Sequence, residues 1–168
     1  MNMNFKSCIA WVAIAFIAVL WSSTCSAQAP VDGKTVVPLQ TSINALMVDM
    51  IDQAAHEIWE AGYAEKLSGR DWQMVELHAI QLIGAGSLIT LPGTGPADKG
   101  WVTSPAWKEW SQKMVDVGLA AQKAAKAADQ KALEKLGGNL VDVCEGCHKT
   151  FKPEVPTEGI MHIPHYSE

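Results

Sequence analysis

The sequence predicts an all-α fold, an antiparallel up-down-up-down four-helix bundle, and three observations carry that reading. Four segments place apolar residues in steps of three and four. Each segment is bounded by capping or breaking residues. No stretch shows the alternation of a half-buried strand. At 168 residues the chain has room for one domain and little more. Its formal charge of −5 argues against a general nucleic-acid binder, which would carry a basic face. With 48% apolar and 18% charged residues it is no disordered chain.

Residues 1–27 read as an export signal. Lys6 is their one charge, an apolar run follows from Cys8 to Trp21, and small residues lead to Ala27. The run is shorter than the roughly 20 residues of a membrane span. No Leu stands three residues before Cys25, which argues against a lipid anchor there. Removing 27 of the 168 residues leaves 141 and takes away one positive charge, so the net charge moves from −5 to −6. Cys8 and Cys25 leave with the signal, and Cys144 and Cys147 are the only thiols that remain.

Residues 28–40, rich in Val, Pro and Gly, read as an extended leader. The first helix starts at a Thr41 or Ser42 cap. Its stripe is Ile43, Leu46, Met47, Met50, Ile51, Ala54, Ile58 and Trp59, and Gly62 stands at or past its end. The second starts near Asp71, carries Trp72, Val75, Ala79, Leu82, Ile83 and Gly86, and stops at Pro92-Gly93. Residues 92–103 hold three Gly and two Pro and read as a loop. Ser104-Pro105 opens the third helix, with Pro at its first position. Trp107, Trp110, Met114, Val117, Ala121, Ala124 and Ala128 form its seam. Asp129 caps the fourth, whose face is Leu133, Leu136, Leu140, Cys144, Cys147 and Phe151. The Gly137-Gly138 pair weakens or kinks that helix without shifting its register. Pro153 ends it, and 153–168 is an irregular tail.

Cys144-Glu145-Gly146-Cys147-His148 is a C-x-x-C-H motif. On a helix the two thiols lie one turn apart on one face, placed to bond the two vinyl groups of one haem. The next residue's imidazole then reaches the iron as proximal ligand. Export of the chain and the lack of a competing third thiol suit this attachment. Two other readings exist. A redox C-x-x-C pair belongs at a helix start after a strand, whereas this one sits near a helix end. A zinc site needs a further ligand at regular spacing; His162 and His165 are the candidates, on a tail broken by Pro153, Pro156 and Pro164.

A helical chain with C-x-x-C-H-K and an aromatic soon after on its last helix resembles the cytochrome c prime superfamily. The matching residues are Cys144, Cys147, His148, Lys149 and Phe151, with Trp59, Trp72 and Leu91-Pro92-Gly93 in support. The resemblance covers 41–152. It implies a periplasmic protein with one haem c. That protein is either a six-coordinate electron carrier or a five-coordinate binder of nitric oxide or carbon monoxide. Relatives often pair through their first two helices, which implies a homodimer.

The sixth ligand separates those two functions. In an antiparallel bundle the start of the first helix lies beside the end of the fourth, so a ligand opposite His148 comes from the first turns after Ser42. At about 100° per residue, with Met47 at 0°, Ile43 falls near 320°, Ala54 near 340°, Ile58 near 20° and Met50 near 300°. Met47 is closest to the centre of the stripe and is the expected ligand, with Met50 as reserve; plain core packing is the alternative role for both. The six-coordinate branch of the resembled family also carries its Met early in the first helix. His56 falls on the solvent side and His78 at the edge of the second helix's stripe. Met74 reads as surface, Met114 as core, and the Trp residues as core or pocket wall. A peroxidase would need a distal His with an Arg partner, and Arg70, the chain's one Arg, lies in the connection between helices one and two. The sequence therefore predicts an electron carrier rather than an enzyme, docking on redox partner proteins it does not identify.

Overall fold

Ser42 opens the first helix by accepting a hydrogen bond at its hydroxyl from the Ala45 N–H, 3.1 Å away. The computed structural model describes residues 36–153. The expected signal 1–27, leader residues 28–35 and the tail beyond Pro153 lie outside the described residues, and so do Cys8, Cys25, His162 and His165. Among the described residues every regular element is a helix.

Helix α1 is continuous through three stretches: Ile43–Leu46, a π-helical turn Met47–Asp52, and Gln53–Tyr63. The π turn was not predicted, and the burial pattern gives its reason. Ile43 and Leu46 are buried before it, and Ala54, Ile58 and Gly62 after it. On a uniform α-helix those two sets would point about 90° apart, close to the ~100° of one residue. The wide turn takes up that one residue, so both sets meet the same core. Gly62 is not the stop signal expected of it. It lies inside the last turn, where a Cβ would stand 3.1 Å from the Leu133 carbonyl.

Helix α2, Gly69–Leu88, begins two residues before the expected start. Ser68 and Asp71 form a reciprocal capping box, with Ser68 N–H on the Asp71 carboxylate at 2.7 Å and Asp71 N–H on the Ser68 hydroxyl at 3.3 Å. These bonds hold the Asp71 carboxyl below the usual carboxylate range. The expected loop 92–103 contains a short helix, α3, Asp98–Thr103. Gly93 and Gly95 leave room for the Asp98 carboxylate: a Cβ on Gly95 would lie 2.6 Å from it. Asp98 is 2% exposed. It accepts from Ile43 N–H at 2.9 Å and from Gly95 N–H at 2.8 Å. Thr94 N–H on the Thr41 carbonyl and Leu39 N–H on the Pro92 carbonyl complete a strap across the start of α1.

Helix α4, Pro105–Ala127, starts as Ser104-Pro105 predicts. Ala128 leaves the expected seam. It is exposed and left-handed, φ 49°, and closes the helix. Asp129 caps α5, Gln130–Phe151, through the Ala132 N–H, and α5 runs unbroken through Gly137-Gly138.

The helices pack α1 on α2, α2 on α4, α4 on α5 and α5 on α1, with α2 and α4 most extensively joined. Neighbours are antiparallel: Gly86 of α2 meets Ser111 and Val115 of α4, and Gly118 of α4 meets Ala79 and Ile83 of α2. Ile43, Ile58, Leu82, Ile89, Trp107 and Leu133 are the large fully buried apolar residues between them. Trp107 also donates its indole N–H to the Ile89 carbonyl at 2.8 Å. No helix of the described residues is long and apolar enough to cross a membrane.

Candidate haem-attachment site

The C-x-x-C-H residues occupy the last two turns of α5. Cys147 is buried, and Cys144 and His148 are half-buried. Both cysteines are free thiols. Burial pushes the Cys144 thiol up to about 12, and the nearby Cys147 and Asp52 charges add to the rise. Burial pushes Cys147 up to about 11. Both therefore remain thiols at neutral pH. A redox pair depends on the opposite environment, a helix N-terminus that lowers the thiol pKa; here the carbonyl end of a helix faces them. Among the described residues no group of three or more His, Cys, Asp or Glu is placed to hold a metal ion, and His162 and His165, the further ligands of the zinc alternative, lie outside them.

Helix α1 lies alongside in a fixed register. A Cβ on Gly137 would stand 3.4 Å from the Trp59 and Tyr63 rings, a Cβ on Gly62 3.3 Å from Glu134, and Asp52 is close enough to Cys144 to act on its thiol. Each step along α1 is matched by an equal step back along α5. That packing on α5 runs through Gln53–Tyr63, whereas the Met47–Asp52 turn packs on α2. Met47 and Met50 are both half-buried against the core, so burial does not separate them. The helical wheel that favoured Met47 assumed a uniform helix, and the π turn removes that assumption. Both methionines therefore stand as candidates on the same turn of α1.

Aromatic side chains lie against the motif and just beyond it. The Trp110 ring lies against the Gly146 backbone, leaving no room for a Cβ there. Phe151 meets Trp107 edge-on at 5.0 Å, and Trp107 stacks on Trp101 at 5.0 Å and 13°. Lys113 lies 4.0 Å over the Trp110 ring and Lys152 5.9 Å over Trp101. Lys149 pairs with Glu145 at 2.8 Å on the exposed side. Neutral thiols one turn apart, an adjacent imidazole and a surrounding aromatic wall are a donor set that fits a covalently held haem.

Other expectations resolve residue by residue. Met74 is exposed and Met114 buried, as read. Trp59 is 40% exposed and packs on Tyr63 at the surface, so it is neither core nor pocket wall. His56 is half-buried rather than free in solvent, with Nε2 on the Glu60 carboxylate at 2.9 Å. His78 is buried, not at a boundary, and its Nδ1 has no hydrogen-bond partner. Sequence reasoning missed Asp98 and Gln81, whose side chain donates to the Met50 carbonyl at 3.0 Å. The paired Gly93 and Gly95 before Asp98 were a readable signal; for Gln81, one amide among many, there was none. Comparison with protein-family models, curated proteins and solved structures returned no match to this chain.

Proposed function

We propose that this chain is an exported, periplasmic monohaem cytochrome c that carries electrons, built as an antiparallel four-helix bundle similar to the cytochrome c prime superfamily. The observation that carries the reading is the placement of Cys144, Cys147 and His148 together on the last turns of α5, with the Trp110 ring against Gly146 between the two cysteines. Haem held there supplies reversible one-electron chemistry at its iron. Cys144 and Cys147 would tether it, His148 would hold the iron from one side, and Met47, with Met50 in reserve, from the other. A thioether ligand raises the potential relative to two imidazoles. Trp107, Trp110 and Phe151 would keep water away from the site. The role is transfer to and from partner proteins rather than catalysis.

The test is the optical spectrum of the reduced holoprotein, before and after addition of carbon monoxide. Sharp low-spin bands that do not respond to carbon monoxide are expected. Broad high-spin bands that shift with it would replace electron transfer by the gas-binding function. A matured chain with no haem band would overturn both.

A further inference from the structure

We propose that Gln81 is a positioning residue for the methionine proposed to ligate the iron: by holding the π turn of α1 in place, it sets the aim of the Met47 side chain. The inference rests on the haem reading above and deepens it.

The π turn is an extra residue trapped between two pins. On its N-terminal side, Ile43 is fully buried and its N–H is held by the Asp98 carboxylate at 2.9 Å. On its C-terminal side, Ile58 is fully buried and the Gly62 backbone touches Leu133 and Glu134 of α5. Neither end can slip, so the surplus residue must be absorbed somewhere between them. Where it is absorbed decides the aim of Met47. Residues before the turn, and Met47 at its opening, whose N–H still meets the Ile43 carbonyl, follow the N-terminal pin, and residues after it follow the C-terminal one. If the turn migrated ahead of Met47, that side chain would rotate by about 100° and shift by about 1.5 Å.

A π turn also disturbs the regular i→i+4 pairing of helix carbonyls. Met50, in the middle of this one, has its carbonyl met by the Gln53 N–H and, from α2, by the Gln81 side-chain amide at 3.0 Å. That bond is part-buried and joins residues 31 apart. Gln81 therefore favours the turn where it stands, at Met47–Asp52, over any other position between the pins.

The experiment uses the matured holoprotein and two variants. Gln81→Leu removes the donor and keeps the bulk; Gln81→Lys keeps an N–H donor of similar reach. The readouts are the spin state of the reduced protein and its rate of carbon monoxide association, with thermal unfolding recorded in parallel. Wild type is expected to be low-spin and slow. Gln81→Leu should gain high-spin character and bind carbon monoxide roughly 5- to 10-fold faster, the worth of one hydrogen bond. Gln81→Lys should stay close to wild type. A low-spin wild type whose Gln81→Leu variant keeps both spectrum and rate overturns the positioning role and leaves the haem reading intact. A high-spin wild type overturns the methionine reading itself. If Gln81→Leu fails to fold, Gln81→Lys decides: an unchanged spectrum supports the role of the donor, and a high-spin spectrum in a folded Gln81→Lys protein overturns it.

Discussion

The two ends of α1 are both finished by side chains from distant parts of the chain, and by opposite chemistry. At its start a buried carboxylate, Asp98, accepts from Ile43 N–H. At its end the Gln130 amide, from the first turn of α5, donates to the carbonyls of Ala61, Gly62 and Ala64 at 2.9, 2.9 and 3.2 Å. A helix start leaves donors unpaired and a helix end leaves acceptors, so each end receives the group it lacks. The packing differs as well. At the Gln130 end the backbones of α1 and α5 touch through Gly62. At the Asp98 end the helices are spaced by Trp101, Trp107, Trp110 and Phe151. The two ends therefore differ in bulk: a glycine lets the backbones approach at one, and large rings fill the space at the other.

This contrast can be broken by substitution. Asp98→Ala has the largest expected effect. It strips the acceptor from two amides, one fully buried, for a loss of about 3 kcal/mol. Urea unfolding should show the midpoint falling at an unchanged slope; a loss below about 1 kcal/mol would mean the strap is ornamental. Gln130→Ala should cost less, about 1 kcal/mol, because water can reach the part-buried carbonyls it leaves. Equal losses at the two ends would erase the distinction. Lys149→Ala removes an exposed ion pair beside the motif and should shift stability by no more than about 0.5 kcal/mol. A larger change would make Lys149 part of the motif's packing.

The helices themselves were legible from periodicity, caps and breakers. Ser42, Ser104-Pro105 and Asp129 stand where caps were expected. The C-x-x-C-H motif was legible because its spacing is a local property of one helix. What escaped was set by tertiary contact. The π turn exists because two buried sets on α1 are out of phase, and only packing decides which apolar residues count as buried. Gly62 looks like a terminator in one dimension and is a contact point in three. The helix α3 was hidden by glycines that serve Asp98 rather than the turn they suggest. His78 sits at the edge of a helical wheel, yet it is buried.

The connection between α4 and α5 is only Ala128 and Asp129, whereas α1 and α2 are joined by residues 64–68, and α2 reaches α4 only after the strap and α3. Closing a short loop forfeits less chain freedom than closing a long one. The α4–α5 hairpin is therefore the cheapest pairing to assemble, and it already contains the two thiols, the imidazole and the rings of Trp107, Trp110 and Phe151. The order of assembly follows from that. The hairpin closes first at its two-residue connection, and the motif, at the far end where Trp110 meets Gly146 and Trp107 meets Phe151, joins last as the two helices zip together.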